Sequence, residues 1–532
     1  MAKVESQVKS PIYKDLMALA GIGALSTEDA LDNIAQLIDA CQLPRHAPGI
    51  TKALEWCNEL EARGLSPAQL TALEYFRSNA WDHRRPRYRQ GSAAWKWEQP
   101  ALQEEILSLR RARNGDGFEQ APVHLQCQIL TNLGNALSAA GRSIEALEPK
   151  RTATAIEPRF WMARGNLGIG LSSYARAVHS EYHAGALFLL ADKELTQTLA
   201  DAHAYPHVGY PEARERFERE KAWIDRHIDL AAVSQHFSPD QGSLGRSRAE
   251  RAYRAWCVNN CLSLNPINDG LACQAAADDT LPLPDFVTKI REPPSLLRFF
   301  NQIKQEYISA RWVLYSGTHS SRPHFSDRDV TLTNTLDYPA YGLAVEQVRT
   351  AYRVAYSLFD KIAFFINNYF SLKIPLSQVS FGRVWKDKGG PKGVLIKRFA
   401  NSKNSMLRGL YWLSRDLLDS SFSQSTAPDA QALAEIRNQI EHRYLKVHEI
   451  FVGKAGFQQK VPGDVFVDKL AYSIGRRDFE DKALRLLKLS RAAIIHLTLA
   501  MDFEEKRRNP ASRSTRPLFG QTLPVIEQSR KA

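Results

Sequence analysis

Apolar positions recur at steps of three and four residues along most of this chain, the spacing that gathers them on one face of an α-helix. STEDALDNIAQLIDACQL (26–43), ITKALEWCNELEARG (50–64) and SPAQLTALEYFRSNAWD (66–82) carry such stripes, with Ser or Thr starts and Gly or Pro stops. From Leu336 the stripes lengthen into YGLAVEQVRTAYRVAYSLFDKIAFFINNYF, NSMLRGLYWLSRDLL, DAQALAEIRNQIEHRYLKVHEIF and DFEDKALRLLKLSRAAIIHLTLAMDFEEKRR. Four helices of that length predict an up-and-down bundle. Between the two halves, SPDQGSLGRS, LNPINDG, TLPLPDF and REPPS interrupt the pattern, so LLRFFNQIKQEYISARWVLY reads there as a short helical piece. The expected divisions are a helical array over 1–238, a connecting region over 239–335, a bundle over 336–508 and a flexible basic tail over 509–532.

The array contains a repeat. TNLGNAL (131–137) returns 34 residues later as GNLGIGL (165–171), and between the copies lie a turn glycine, Gly141, and a helix-ending Ile156-Glu-Pro158 before Trp161. A helix, turn, helix unit of that period resembles a tetratricopeptide (TPR) repeat, with Gly134, Ala136 and Gly168 as small residues at close helix approaches. Such arrays bind protein partners or order assemblies, and that is the role expected of this half.

Composition narrows the rest. The chain of 532 residues has 44% hydrophobic residues, enough for two or three packed domains. Its start, MAKVESQVKS, lacks the apolar run of a signal peptide, and no uninterrupted apolar stretch is long enough for a membrane helix, so a cytoplasmic protein that does not enter membranes is expected. Six cysteines are too few for a disulfide framework. The spacing of Cys257, Cys261 and Cys273 is not that of a zinc site, so no metal or cofactor is expected. A net charge of +12 favours a polyanionic partner. The densest basic stretch, DHRRPRYRQ (82–90), is followed by WKW (95–97). Arg84, Arg85, Arg87 and Arg89 are therefore candidates for RNA phosphates, with the tryptophans available to stack on bases; a solvated basic loop is the competing reading.

Candidate chemistry lies in AEIRNQIEHRY (434–444). Arginine followed five positions later by histidine occurs as Arg437 with His442, Arg443 with His448, and Arg491 with His496. Chance supplies about one such pair in a chain of this composition, so helix position has to choose. On a helical wheel Leu433, Ile436, Ile440, Tyr444 and Val447 form an apolar stripe with Arg437 at its border, and Asn438, Glu441, His442, Leu445 and His448 fall opposite. His496, within AAIIHLTLA, reads as an interior histidine. Arginine holds a phosphate through a rigid fork of donors and histidine exchanges protons near neutral pH, which is sufficient equipment for cutting RNA without a metal. Residues five apart point about 140° apart, so one Arg437 and one His442 converge poorly, and a two-fold pair of chains is expected.

The RNQIEHRY motif on the third of four helices resembles the HEPN superfamily of ribonucleases. WCVNNCLSLNPIND, FFNQIKQEYISARWVLYSG, HFSDRDV, NTLDYPAYGL, SLFDKIAFFINNYF and LRGLYWLSRDL extend the likeness to bacterial TPR-fused HEPN proteins. The fold class this implies is mainly α, a TPR-like repeat array followed by a C-terminal HEPN four-helix bundle. It also implies a homodimeric, metal-independent endoribonuclease in antiviral defence or toxin action. In it Arg437 would position the scissile phosphate and His442 would move protons, while Asn438 and Glu441 would play supporting roles. RNA, a second copy of the chain and a protein trigger at the array are the implied partners. Tyr444 matches a tyrosine that is nucleotidylated in HEPN toxins, although its wheel position favours packing. The alternative is a non-catalytic HEPN and TPR scaffold that binds RNA or protein. A nucleotidyltransferase is disfavoured because no Gly-Ser loop with paired aspartates is present.

Overall fold

Some helix starts in the first half are built as side-chain caps. In the computed structural model Ser26 Oγ accepts from the Asp29 amide at 3.1 Å. Ser66 and Gln69 exchange side-chain and backbone hydrogen bonds, at 3.1 and 3.3 Å, in a capping box that opens with Pro67. The structure describes residues 11–41, 47–85, 95–286, 293–320, 322–333, 339–387, 393–418, 428–442, 444–449 and 471–508.

Among these residues the helices are α1 (Pro11–Ala18), α2 (Thr27–Ala40), α3 (Ala47–Glu61), α4 (Pro67–Arg84), α5 (Pro100–Asn114), α6 (Val123–Ala139), α7 (Leu147–Ile156), α8 (Trp161–Ala177) and α9 (Glu181–Ala204). They continue as α10 (Pro211–His227), α11 (Leu230–His236), α12 (Arg248–Asn259), α13 (Ser295–Thr318), α14 (Leu343–Tyr369), α15 (Lys397–Ala400), α16 (Ser405–Leu418), α17 (Pro428–His442) and α18 (Arg476–Arg508). The strands β1 (Tyr444–His448) and β2 (Ala471–Gly475) pair in parallel, Tyr444 opposite Ala471 and His448 opposite Gly475. No helix among the described residues is long and apolar enough to cross a membrane.

The repeated NLG segments occupy equivalent places in two helical hairpins, α6 with α7 and α8 with α9. A Cβ on Gly134 would lie 2.8 Å from the carbonyl oxygen of Ala146, and one on Gly168 would lie 3.3 Å from that of Ala191. Each glycine therefore lets the following helix approach its backbone, as the repeat implies.

Two differences from the sequence pattern concern the middle and the end of the chain. The segment around LLRFFNQIKQEYISARWVLY is not a short piece of connecting chain but the 24-residue helix α13, whose Phe300, Ile303, Tyr307, Ala310 and Leu314 are buried against α14 and α18. Among the described residues the bundle thus has five helices of 14 residues or more, α13, α14, α16, α17 and α18, rather than four. The third of the four expected helices ends at His442, and its remainder becomes β1. The GGPKG segment lies largely outside the described residues; beside it Trp385 is buried, and its carbonyl accepts from the Ile396 amide at 3.0 Å.

Packing does not divide where the sequence texture changes. One contiguous core runs from Tyr75 to Met501, whereas α1 to α4 bury a smaller cluster of their own. Buried ion pairs lock the array to the bundle. Arg110 on α5 grips Asp416 on α16 with two hydrogen bonds of 2.7 Å. Arg142 pairs with the same carboxylate and with Glu145, and a Glu145 carboxylate oxygen lies 3.1 Å from Nε2 of His496 on α18. The chain turns into this cluster at Gly141 (φ +88°), where a Cβ would lie 2.2 Å from the Ser405 carbonyl oxygen; on the facing helix a Cβ at Gly409 would lie 2.3 Å from that of Gly141. Two glycines thus permit the contact that the charges secure.

Burial alone would raise the carboxyl of Asp416, but Arg110 and Arg142 hold it down at about 2. Burial would likewise raise Glu145, yet Arg142 and His496 hold it far below the ordinary carboxylate range. A carboxylate depressed in the folded state contributes stability that is complete above its unfolded value, about pH 4, and is lost as pH falls through the folded value. Asp416→Asn removes the charge and leaves two arginines buried without it. It should therefore lower unfolding free energy at pH 7 by about 3–5 kcal/mol. Urea unfolding measures this, and a loss under about 1 kcal/mol would mean that the cluster does not clamp the two halves.

Candidate functional site

Helix α17 is seated by its apolar stripe and by α14. Leu433 and Ile436 are fully buried and Ile440 nearly so, as the wheel places them. Tyr352 donates its hydroxyl to the Leu433 carbonyl at 2.6 Å, and Arg353 donates to the Ile440 carbonyl at 2.8 Å. One turn earlier on α14, Arg349 reaches the Leu445 carbonyl at 2.7 Å. Side chains of α14 thus satisfy carbonyls on both sides of the point where helix becomes strand.

The end of α17 at His442 and the strand β1 that begins at Tyr444 rearrange the second half of the motif. Tyr444, expected at the border of the core, is 39% exposed and its hydroxyl lies 3.3 Å from that of Tyr341. Leu445 and His448, expected on the polar face of a helix, are buried with Val447. The physical reason is period: apolar Leu445 and Val447 alternate, and a helical wheel that puts them on opposite faces is the sign that the period has changed from 3.6 to 2. The Val447 carbonyl then accepts from the Ala340 amide at 2.6 Å, which brings Tyr341 against Tyr444.

Arg437 is half-buried, its guanidinium 5.4 Å from the Tyr356 ring centre and within hydrogen-bond distance, 3.2 Å, of the exposed Asn438 side chain. Burial raises the Tyr356 hydroxyl to about 12, with Arg437 opposing. Burial also raises the Asp360 carboxyl, opposed by the Phe381 amide it accepts from at 3.0 Å and by the charge of Arg437. Glu441 is exposed and sits 3.5 Å from Arg353. His442 is the final residue of α17, one and a half turns beyond Arg437. The α17 backbone therefore presents Arg437, Asn438, Glu441 and His442 within six consecutive residues, and α14 contributes Arg353, Tyr356 and Asp360.

These last three were not found from the sequence. Arg353, Tyr356 and Asp360 recur at steps of three and four on α14, a usable periodic signal, but only tertiary packing says that this face meets α17.

The Arg491 and His496 match is structural. Arg491 is buried and grips Asp269 at 2.6 and 3.1 Å while donating to the carbonyls of Ser263 and Asn265, and His496 is engaged with Glu145. His448 is buried on β1, and Arg443 lies outside the described residues.

The basic stretch near residue 85 is divided. Arg84 donates to Thr51 Oγ1 at 2.6 Å and stacks over Trp81, and Arg85 is drawn inward to Asp82 and Glu105 at 3.3 and 2.9 Å. Arg87 and Arg89 lie outside the described residues. Trp97 cannot stack on bases: it is buried against Trp385, Phe399 and Tyr411, and its indole donates to the Ser402 carbonyl at 3.0 Å. It belongs to the joint between the array and the bundle.

A helical bundle with an Arg-Asn-x-x-x-His sequence at the end of one helix is the arrangement that the motif implies. Residues 287–504 match the family model described as LA2681-like HEPN, so the C-terminal part of the chain is a HEPN domain. The match begins before α13, in agreement with the packing of that helix into the bundle. Searches of the curated proteins and of the solved structures found no match.

A raised Asp360 means that the folded state prefers the neutral carboxyl. The ionised form therefore costs stability as pH rises from its unfolded value to its raised folded value, and that cost persists at pH 7. Asp360→Asn keeps an oxygen for the Phe381 amide and should leave stability to heat or urea at pH 7 unchanged or raised. A loss above about 1 kcal/mol would instead mean that attraction between Asp360 and Arg437 outweighs the cost of burying the carboxylate.

Proposed function

We propose that this protein is a metal-independent endoribonuclease whose site is completed by two HEPN domains. The observation that carries the reading is Arg437, held half-buried over Tyr356 with Asn438 beside it, five residues before His442 at the end of the same helix. The family match supports an RNA-related role for this domain. A planar guanidinium fixed by a ring and a neighbouring amide is prepared to take a phosphate with little loss of freedom.

In the proposed reaction His442 accepts the proton of the 2′-hydroxyl as that oxygen attacks phosphorus. The bond to the 5′-oxygen breaks, and the imidazolium of the second protomer returns a proton to the leaving oxygen. Arg437 offsets the charge that develops on the phosphate, and Asn438 orients it. Products carry a 2′,3′-cyclic phosphate and a 5′-hydroxyl. Glu441, tied to Arg353, steadies the end of α17, and the exposure of Tyr444 supports reading it as a modification site. The helical array is proposed as a TPR-like sensor of a protein partner, in antiviral defence or as a toxin effector acting in the cytoplasm. The buried contacts of Arg110 and Arg142 with Asp416 support a coupling between the two.

Purified full-length protein should cleave RNA in EDTA, with the rate per chain rising with protein concentration until dimers saturate. Arg437→Ala and His442→Ala should each lower the rate by about a hundredfold or more while melting as the parent does. Equal cleavage by parent and variants would remove the site. RNA binding without cleavage by the parent would favour a non-catalytic scaffold.

A further inference from the structure

Helices α12 and α13 bring five rings together at the surface. Tyr253 and Trp256 of α12 meet Trp312 and Tyr315 of α13 and the adjoining His319. Tyr253 lies 5.0 Å from Trp312 and 5.2 Å from Tyr315 between ring centres, and Trp256 lies 5.3 Å from Tyr315. Tyr315 stacks on His319 at 4.1 Å and 27°. Trp312 remains 49% exposed, an arrangement that core formation does not require.

The cluster is held from below. Arg311 is buried, grips Asp279 through two 2.8 Å hydrogen bonds, and donates to the Tyr253 hydroxyl at 2.9 Å. The first turns of α12 and the residues before it add Arg246, Arg248 and Arg251, all exposed and none in a salt bridge among the described residues. Arg254 is committed to Glu250 and Asp278, at 3.1 and 2.8 Å, so the local balance is four arginines against two carboxylates. On the α12 wheel Arg248 lies about two turns before Trp256 and about 80° around the axis from it, on the flank of the ring-bearing face.

We propose that this aromatic cluster and its arginines bind single-stranded RNA, with unpaired bases stacking on Trp312 and Tyr315 and phosphates meeting Arg246, Arg248 and Arg251. Stacking on a ring, here exposed Trp312 with half-buried Tyr315 beside it, needs no particular base and excludes a paired helix, while the arginines provide the salt-dependent part of binding. Gly317, in the last turn of α13, lies so close to α14 that a Cβ would be 2.7 Å from the Ala344 carbonyl oxygen. From Ala344 the helix runs about 18 Å to Tyr356, beneath Arg437. The platform thus stands on a helix packed against α14, the helix that braces Arg437. Its part in cleavage rests on the nuclease reading above, but its binding of RNA does not.

The test uses full-length protein carrying His442→Ala, so that bound RNA stays intact, and follows the anisotropy of a fluorescein-labelled oligoadenylate and of a hairpin duplex of equal length. The single strand should bind more tightly. Adding Trp312→Ala with Tyr315→Ala should weaken its binding by about tenfold to a hundredfold. Arg248→Gln should reduce the slope of log affinity against log salt by about 1. Binding should also quench tryptophan emission, and Trp312→Phe, which keeps a ring, should retain most of the affinity while losing part of the quench. Unchanged affinity in a folded Trp312→Ala, Tyr315→Ala protein, or an equal loss for duplex and single strand, overturns the proposal. If binding follows these expectations while wild type leaves RNA uncut, the nuclease reading fails and the platform stands; cleavage in EDTA with unaltered binding in the ring variants gives the reverse.

Discussion

The carboxylate of Asp416, buried between Arg110 and Arg142, is the constraint on which the relation of the two halves depends. Two guanidiniums and a carboxylate out of water are tolerable only when each finds its partner, so this cluster ties α5, the turn after α6 and α16 together. Gly141 and Gly409 remove the side chains that would hold the backbones apart, and His496 extends the cluster to α18 through Glu145. Asp269 makes a second tie, accepting from Arg491 of α18 and from the Tyr174 hydroxyl of α8 at 3.0 Å. Among the described residues the array and the bundle therefore share one contiguous core.

The candidate site lies where that rigid bundle gives way to a different backbone. Helix α17 stops at His442, and Arg349 and Arg353 of α14 hold carbonyls on either side of the change. A residue at a helix end is placed differently from one in mid-helix: Arg437 is braced by Tyr356, whereas His442 stands at the junction with the segment leading into β1. This geometry leaves Asn438 and Glu441 exposed and gives the arginine of the motif a fixed place.

Much of the helical architecture was legible because it rests on local rules. Ser26 and Ser66 mark their helix starts by hydrogen bonds within the next turn, and Gly134 and Gly168 mark close approaches by recurring at one spacing. The inward face of α17 could be read from Leu433, Ile436 and Ile440 for the same reason. Tyr444 and Leu445 could not be placed by extending that wheel, because a strand reverses neighbours every residue while a helix advances them by 100°. Trp97 escapes a reading of this kind because a tryptophan beside arginines looks the same in sequence whether it is stacked on bases or buried beneath Phe399.

The helical class, the 34-residue repeat and the interior character of His496 follow from residue type and spacing along a short stretch, and the likeness of RNQIEHRY to HEPN sequences is equally local. Tertiary structure alone decided that α13 belongs to the bundle, that Arg353, Tyr356 and Asp360 face α17, and that Arg85 turns to Glu105. It also decided that rings from α12 and α13, more than fifty residues apart in part, share one surface. Those outcomes depend on which faces meet, and the free energy of a contact between distant segments is not written in the periodicity of either one.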